Sequence, residues 1–79
     1  MRIDKFLKVS RIIKRRTVAK EACDKGRILI NDRVAKAGSE VQVGDQITLS
    51  FGSNTTKVEV LILKDHVTKD EANLMYKNL

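Results

Sequence analysis

Cysteine, histidine and proline are scarce in this sequence of 79 residues, which has one cysteine, one histidine and no proline. The lone cysteine, Cys23, excludes an intramolecular disulfide, and its position among apolar helical residues predicts a buried structural thiol. A metal site needs several ligands at set spacing, which the single histidine, His66, and a distant cysteine do not provide. We therefore expect neither a metal ion nor another cofactor.

Signals of catalysis and of membrane insertion are missing too. No serine lies in a nucleophile-elbow pattern, and there is no glycine-rich phosphate loop. No apolar run reaches membrane-spanning length, and the N-terminal MRIDKFLKVS lacks the continuous apolar segment of a signal peptide. We expect a cytoplasmic protein that is not an enzyme, does not bind a membrane and is a monomer when free.

Positive charge is abundant and concentrated in the first half of the chain. Residues 1–36 contain 12 Lys and Arg against four Asp and Glu, whereas residues 37–79 contain four against six. The densest stretch, SRIIKRRTVAK at residues 10–20, has five basic residues and no acid. Charge runs are usually solvated faces, but seven of the first sixteen residues are basic and only Asp4 is acidic. This segregation predicts a surface that binds a polyanion.

Apolar periodicity predicts two helices in this basic half, over residues 3–13 and 18–25. Thr17 is the expected N-cap of the second helix, and Gly26 is the expected left-handed residue after its end. The basic triplet of residues 14–16 then lies at the junction between the helices. Arg16 would lie at the positive end of the second helix, which attracts phosphate in its own right.

From Arg27 onward the apolar pattern alternates, which predicts strands over residues 27–30, 33–36, 46–51 and 57–63. Asn31–Asp32 is the expected turn between the first two strands. Thr68 and Glu71 form a capping box, and the apolar stripe that follows predicts a helix to the C-terminus. The predicted fold class is α+β: two N-terminal helices packed on a small antiparallel β-sheet (domain 1–67), with a short C-terminal helix (68–79) packed on or extending the same domain.

The residues alone leave the polyanion open. A helix–turn–helix with arginines permits DNA binding, but residues 18–25 lack the Asn, Gln or Ser that usually read the major groove. The three aromatic residues, Phe6, Phe51 and Tyr76, all fit core faces, so no exposed ring is expected to stack on single-stranded bases. Folded RNA, read through its shape and phosphates, is the favoured ligand. A basic face that docks on an acidic protein is the third alternative.

Several short motifs together resemble the small RNA-binding domain named after ribosomal small-subunit protein four, here the S-four domain. The matching residues are Arg2, Asp4 and Leu7; Arg15, Arg16 and Thr17; Gly26, Ile28, Ile30 and Asn31; and Val41, Gly44, Asp45 and Ile47. Two departures from the family pattern affect turns: Asp32 replaces the usual glycine, and residues 35–39 lack the common proline. Neither departure touches the basic junction.

The whole chain, most densely residues 1–31, is similar to the stand-alone RqcP (YabO-like) family of Gram-positive bacteria. This resemblance implies a factor of ribosome-associated quality control that binds an obstructed large ribosomal subunit carrying peptidyl-tRNA. It implies contacts with large-subunit rRNA and tRNA, and cooperation with an RqcH-type factor that adds alanine tails to stalled chains. The alternatives are a small DNA-binding regulator and the heat-shock branch, which rescues peptidyl-tRNA on free large subunits. Members of that branch usually carry a long basic C-terminal extension, which is not seen here.

The resemblance also suggests roles for individual residues. Arg2 and Arg16 match the family's rRNA-contacting arginines, with Asp4 beside them. Asp4 has two possible roles: it could favour the start of the first helix, or it could hold Arg2 or a basic neighbour in a fixed position. The candidate RNA-binding residues are Arg2, Asp4, Lys8, Arg11, Lys14, Arg15, Arg16 and Lys20.

Overall fold

Two helices precede an antiparallel sheet in the computed structural model, which describes all of residues 1–79. The elements are α1 (Ile3–Val9), α2 (Arg16–Asp24), β1 (Ile28–Ile30), β2 (Arg33–Val34), β3 (Gln46–Phe51), β4 (Asn54–Val60), α3 (Lys69–Ala72) and β5 (Tyr76–Asn78). The five strands form one sheet in the order β2-β1-β3-β4-β5, and every neighbouring pair is antiparallel. The predicted α+β class is confirmed.

The core lies between the two N-terminal helices and one face of the sheet. On α1 the side chains of Ile3, Phe6 and Leu7 are fully buried. Alternate residues of the strands face them, and Ile47 of β3 lies directly opposite Val58 of β4. Burial of each such large side chain contributes about 1.5–3 kcal/mol relative to exposure. Most basic residues of the first half therefore lie on or between two helices, and apolar packing fixes the position of these helices.

Helix α1 ends four residues earlier than the periodicity predicts. It stops at Val9, and Arg11 has a left-handed backbone with φ of 61°. The Arg11 N–H donates to the Lys8 carbonyl at 3.1 Å, and the Ile13 N–H donates to the Leu7 carbonyl at 3.0 Å. Glycine usually occupies such a position because other residues lose energy there. No glycine marks this end in the sequence, so the prediction of a helix over residues 3–13 was wrong in its last turn.

Helix α2 begins two residues before its predicted start. Arg15 is its N-cap, with extended backbone and no side-chain cap, so the prediction that Thr17 caps the helix was wrong. The C-terminal prediction is confirmed, because Gly26 has φ of 73°. The Arg27 N–H then donates to the Ala22 carbonyl at 2.9 Å, which completes the six-residue closure typical of a glycine-terminated helix.

The β1–β2 turn forms without the usual glycine. Asn31 and Asp32 both have positive φ, 50° and 69°. The Asn31 side chain donates to Asp45 at 3.0 Å and accepts from the Gln46 N–H at 3.0 Å, so a second turn holds the first in place. The returning strand β2 is limited to Arg33–Val34 instead of the predicted 33–36.

The strand predicted over residues 57–63 lies earlier, because β4 spans Asn54–Val60. Phe51 and Asn54 are paired, so only two residues connect β3 and β4. This tight connection moves the whole strand toward the N-terminus relative to the prediction.

The C-terminal capping box is confirmed, but the helix that it starts is only one turn long. The Glu71 N–H donates to the Thr68 hydroxyl at 3.3 Å, and the Thr68 N–H donates to the Glu71 carboxylate at 3.2 Å. The hydrogen bond from the Thr68 backbone N–H foremost, and the Thr68 side chain after it, hold the pKa of the Glu71 carboxylate below its ordinary value.

The prediction of a helix over residues 68–79 was wrong beyond Ala72, where α3 ends. Residues 76–78 instead form β5, where Tyr76 pairs with Val60 and Asn78 pairs with Val58. The edge of β4 presents unpaired backbone groups, and pairing satisfies them while Met75 becomes buried, 1% exposed. The C-terminal residues thus add a strand to the sheet formed by the N-terminal part of the chain.

The neighbours Met75 and Leu74 test this arrangement, because one is buried and the other is 62% exposed. We expect Met75→Ala to lower the free energy of unfolding by about 2–5 kcal/mol. Leu74→Ala should change it by no more than about 0.5 kcal/mol. Urea denaturation followed by circular dichroism measures both. Equal effects would show that the C-terminal segment does not pack as described.

Candidate nucleic-acid interface

The carboxylate of Asp4 is the buried centre of the basic surface, with a side chain only 3% exposed. It accepts hydrogen bonds from the guanidinium of Arg2 at 3.2 Å and from that of Arg16 at 3.4 Å. The N–H of Lys5 donates to the same carboxylate at 2.8 Å. An unpaired buried carboxylate would be strongly unfavourable, so these three donors offset the cost of burying Asp4.

Asp4 lies where each of its two possible roles would require it. It lies in the first turn of α1, where a negative charge is favourable. It also connects the residue before α1, Arg2, to the first residue of α2, Arg16. The side chains of Arg2 and Arg16 are 50% and 47% exposed, so each contacts Asp4 and still presents donors to solvent.

The loop after β2 completes this cluster. The Ile3 N–H donates to the Ser39 carbonyl at 2.8 Å and the Asp4 N–H donates to the Ala37 carbonyl at 3.3 Å. A Cβ atom at Gly38 would lie 3.8 Å from the Arg2 guanidinium, in ordinary van der Waals contact. The loop therefore holds the start of α1 and limits where Arg2 can lie.

A second group of predicted residues lies elsewhere. Lys8, Arg11 and Lys14 line a cavity of about 440 Å³ between the end of α1 and the C-terminal segment. Neither Arg2, Asp4 nor Arg16 reaches this cavity. The structure thus divides most of the predicted residues into an Asp4-centred cluster (Arg2, Asp4 and Arg16) and a basic groove (the cavity lined by Lys8, Arg11 and Lys14).

The remaining predicted residues, Arg15 and Lys20, are exposed and form no ion pair. They belong to neither the Asp4-centred cluster nor the lining of the basic groove. Nothing in the structure contradicts a contact with RNA at these positions, and their assignment stays a prediction.

Sequence reasoning missed the opposite wall of the basic groove, which includes His66 and Lys69. These residues are separated from α1 by more than half the chain, so no local pattern could have placed them there. The acid on this wall, Asp65, receives a hydrogen bond from Lys5 at 3.0 Å. That hydrogen bond lowers the pKa of Asp65, and the groove retains an excess of basic side chains.

Cys23 is buried behind the interface, as predicted. Burial raises the pKa of its thiol to about 11, and the negative charges of Asp4 and Asp24 add to this effect. Because the thiolate is the nucleophilic form, a raised pKa makes this cysteine unreactive near neutral pH.

No helix in the structure is long and apolar enough to cross a membrane.

The family model of the S4 domain matches residues 1–47. This segment contains both helices, the β1–β2 hairpin and the whole Asp4-centred cluster. The chain belongs to the S4 domain family.

Two relatives that are more than 50% identical to the chain identify a narrower family within the S4 domain family. The chain is 58% identical over 76 residues to the RQC P-site tRNA stabilizing factor of Bacillus subtilis, covering 96% of the chain and 88% of that protein. It is 53% identical over 77 residues to the factor of the same name from Halalkalibacterium halodurans, covering 98% and 88%. The chain therefore belongs to the family of RQC P-site tRNA stabilizing factors, the RqcP family that it resembles most densely over residues 1–31.

The heat-shock branch is more distant in sequence and similar in fold. A heat shock protein 15 homolog of Haemophilus influenzae is 31% identical over 78 residues, covering 98% of the chain and 60% of that protein. The solved structure of the trimeric heat shock protein 15 of Vibrio cholerae has a TM-score of 0.91 at 29% identity. That match covers 100% of the chain and 81% of the solved chain.

We expect Cys23 to resist alkylation in the folded protein, since its thiol is both buried and protonated. At pH 8 iodoacetamide should label Cys23 roughly a hundredfold more slowly in the native protein than in guanidinium chloride. The reason is that labelling of the native protein requires the structure to open. Mass spectrometry of quenched time points measures both rates. Equal rates would mean that Cys23 is accessible in the native state.

Proposed function

We propose that this chain is a cytoplasmic, non-enzymatic RNA-binding factor that acts in ribosome-associated quality control. One observation carries the proposal: the buried carboxylate of Asp4 holds Arg2 and Arg16 at the surface with about half of each side chain exposed. The identity to proteins named RQC P-site tRNA stabilizing factor supports the biological setting.

The geometry suits phosphate binding. A guanidinium has five N–H donors in a rigid fork, and Asp4 engages Arg2 and Arg16 each through one nitrogen only. The remaining donors can form charge-assisted hydrogen bonds to phosphate oxygens. Because the arginines are already held by Asp4, less side-chain freedom is lost on binding.

We further propose the partners that the family resemblance implies. The chain binds rRNA of an obstructed large ribosomal subunit together with its peptidyl-tRNA, and an RqcH-type factor adds alanine residues to the stalled chain. The protein itself makes or breaks no bond in this scheme. Its contribution is to hold two RNA molecules in one geometry while the partner works.

The similarity in fold to heat shock protein 15 keeps a second candidate, rescue of peptidyl-tRNA on free large subunits without tailing. Sequence identity favours the first candidate, at 58% against 31%. Deletion of the gene followed by complementation separates the two. Loss and recovery of alanine tails on stalled chains supports the first candidate, whereas unchanged tails with accumulated peptidyl-tRNA supports the second.

Replacement of one of the two arginines that Asp4 holds tests the proposed interface. We expect Arg16→Ala to weaken co-sedimentation with tRNA-loaded large subunits roughly tenfold, because one charge-assisted contact contributes about 1.5 kcal/mol or more. Its thermal stability should change little, since the arginine is half-exposed and Asp4 keeps its other donors. Arg33→Ala, at an exposed residue of β2, is the matched control and should bind like wild type. Equal loss in both variants would indicate nonspecific charge attraction.

The salt dependence of binding tests the phosphate contacts directly. The logarithm of the association constant should fall linearly with the logarithm of salt concentration, because bound phosphates release counterions. In Arg16→Ala the slope should be smaller in magnitude by about one, as expected for the loss of one phosphate contact. A titration with potassium chloride, followed by the same co-sedimentation, provides the slopes. An affinity that does not depend on salt would contradict the proposal.

A further inference from the structure

One aromatic ring, that of Phe51, lies outside the core. It is 38% exposed at the end of β3, and it belongs neither to the buried cluster nor to the side chains packed against it. The sequence predicts that all three aromatic residues occupy core faces, and for Phe51 this prediction was wrong. An exposed ring on a protein with so few aromatic residues calls for a physical explanation.

Phe51 lines a second groove, which we call the aromatic groove and whose volume is about 320 Å³. Three neighbouring strands supply most of its lining, and the segment after α1 supplies the rest: Leu49, Phe51, Thr56, Val58, Tyr76 and Asn78, with Arg11 and Ile12. The strand register places the six sheet residues on one face, the face that the helices cover elsewhere. The groove is therefore the part of this face that the helices leave open.

The chemistry of the aromatic groove suits a flat, polar ring system. Phe51 and Tyr76 offer ring surfaces, and Thr56 and Asn78 offer a hydroxyl and an amide. The side chains of Thr56, Tyr76 and Asn78 form no hydrogen bond within the chain, so their polar atoms are free for a ligand. Stacking on rings combined with hydrogen bonds to an amide is how proteins bind an unpaired nucleobase.

Arg11 connects this groove to the basic groove, because it lines both. Beyond it lie Lys8, Lys14 and Lys69, while the acid on that side, Asp65, is already paired with Lys5. The occupant that matches this charge is an anion. An unpaired nucleotide has this combination, a phosphate attached through its sugar to a planar base.

The backbone of Arg11 supports a functional role for this residue. A left-handed conformation costs roughly 1–2 kcal/mol for a residue other than glycine, and such strain is concentrated at functional sites. With φ of 61°, Arg11 lies at the shared wall of the two grooves. If α1 continued as a regular helix to residue 13, the left-handed turn at Arg11 would not form.

We propose that the protein binds one unpaired RNA nucleotide across Arg11, with the base in the aromatic groove and its phosphate in the basic groove. This inference rests on the proposed function, RNA binding, and names a ligand for residues outside the Asp4-centred cluster. Phe51, Tyr76 and Asn78 then contact the base, and Lys69 on the C-terminal segment contacts the phosphate.

Three RNA hairpins of the same sequence test the proposal: one with a single bulged nucleotide, one with an abasic residue at the bulge, and one fully paired. Fluorescence anisotropy at physiological salt measures their affinities. The wild-type protein should bind the bulged hairpin roughly tenfold more tightly than the abasic one, because a stacked base contributes about this factor. Equal affinity for the bulged and abasic hairpins would overturn the proposal.

Variants locate the contacts. Phe51→Leu keeps an apolar side chain and removes the ring, so it should abolish the preference for the bulged hairpin and leave binding of the paired hairpin unchanged. Lys69→Ala should weaken binding of the bulged and abasic hairpins alike, because both keep the phosphate. Val43→Ala, at an exposed apolar residue outside both grooves, is the control and should behave like wild type. A full preference in Phe51→Leu would overturn the assignment of the base to the aromatic groove.

The hairpin measurements test the nucleotide site, and co-sedimentation with large subunits tests the proposed function, so the two proposals can fail separately. If wild type co-sediments with large subunits yet binds all three hairpins equally, the nucleotide site is wrong and the proposed function stands. If it binds neither hairpins nor subunits, both are wrong. The wild-type comparison of bulged and abasic hairpins decides the matter even if Phe51→Leu melts at a lower temperature.

Discussion

The burial of the Asp4 carboxylate is the constraint on which the interface depends. Apolar packing determines where α1 and α2 lie, but it does not determine where their arginines point. Asp4 does so, because a buried charge must be paired, and its partners are the residue before α1 and the first residue of α2. The same contacts that make the carboxylate tolerable therefore orient Arg2 and Arg16. The set of hydrogen bonds that offsets the burial of Asp4 is therefore also the set that shapes the binding surface.

The basic residues beyond this cluster behave differently. Lys8, Arg11 and Lys14 form no ion pair, and they line a groove whose one carboxylate, Asp65, is already paired with Lys5. Their mutual repulsion is relieved only by solvent or by an anionic ligand. The concentration of positive charge in residues 1–36 thus has two structural meanings. Part of it is neutralised and oriented by Asp4, and part remains available to attract a polyanion over longer distances.

Local signals in the sequence predicted the features that local interactions determine. The capping box of Thr68 and Glu71 and the glycine at position 26 each have their physical cause within a few residues, and both are confirmed. The turn at Asn31 is confirmed too, although distant residues of a second turn help to hold it. The lengths of elements could not be predicted in the same way. The stripe of Ala72, Met75 and Tyr76 fits a helix, yet pairing with the edge of β4 satisfies more backbone groups than a frayed helix end would. Likewise, nothing near α1 in sequence indicates that Lys69 lies across a groove from it.

Three of the departures from local expectation lie close together in the structure. Arg11 ends α1 in a conformation that favours glycine, Phe51 exposes a ring expected in the core, and Tyr76 lies in a strand where a helix was predicted. All three line the aromatic groove. Where local preference, burial and secondary structure conflict with the fold in one place, the conflict is expected to reflect function, because selection for stability alone would remove it. The position of these departures, next to a groove of unpaired cations, is the strongest structural reason to regard that part of the surface as a binding site.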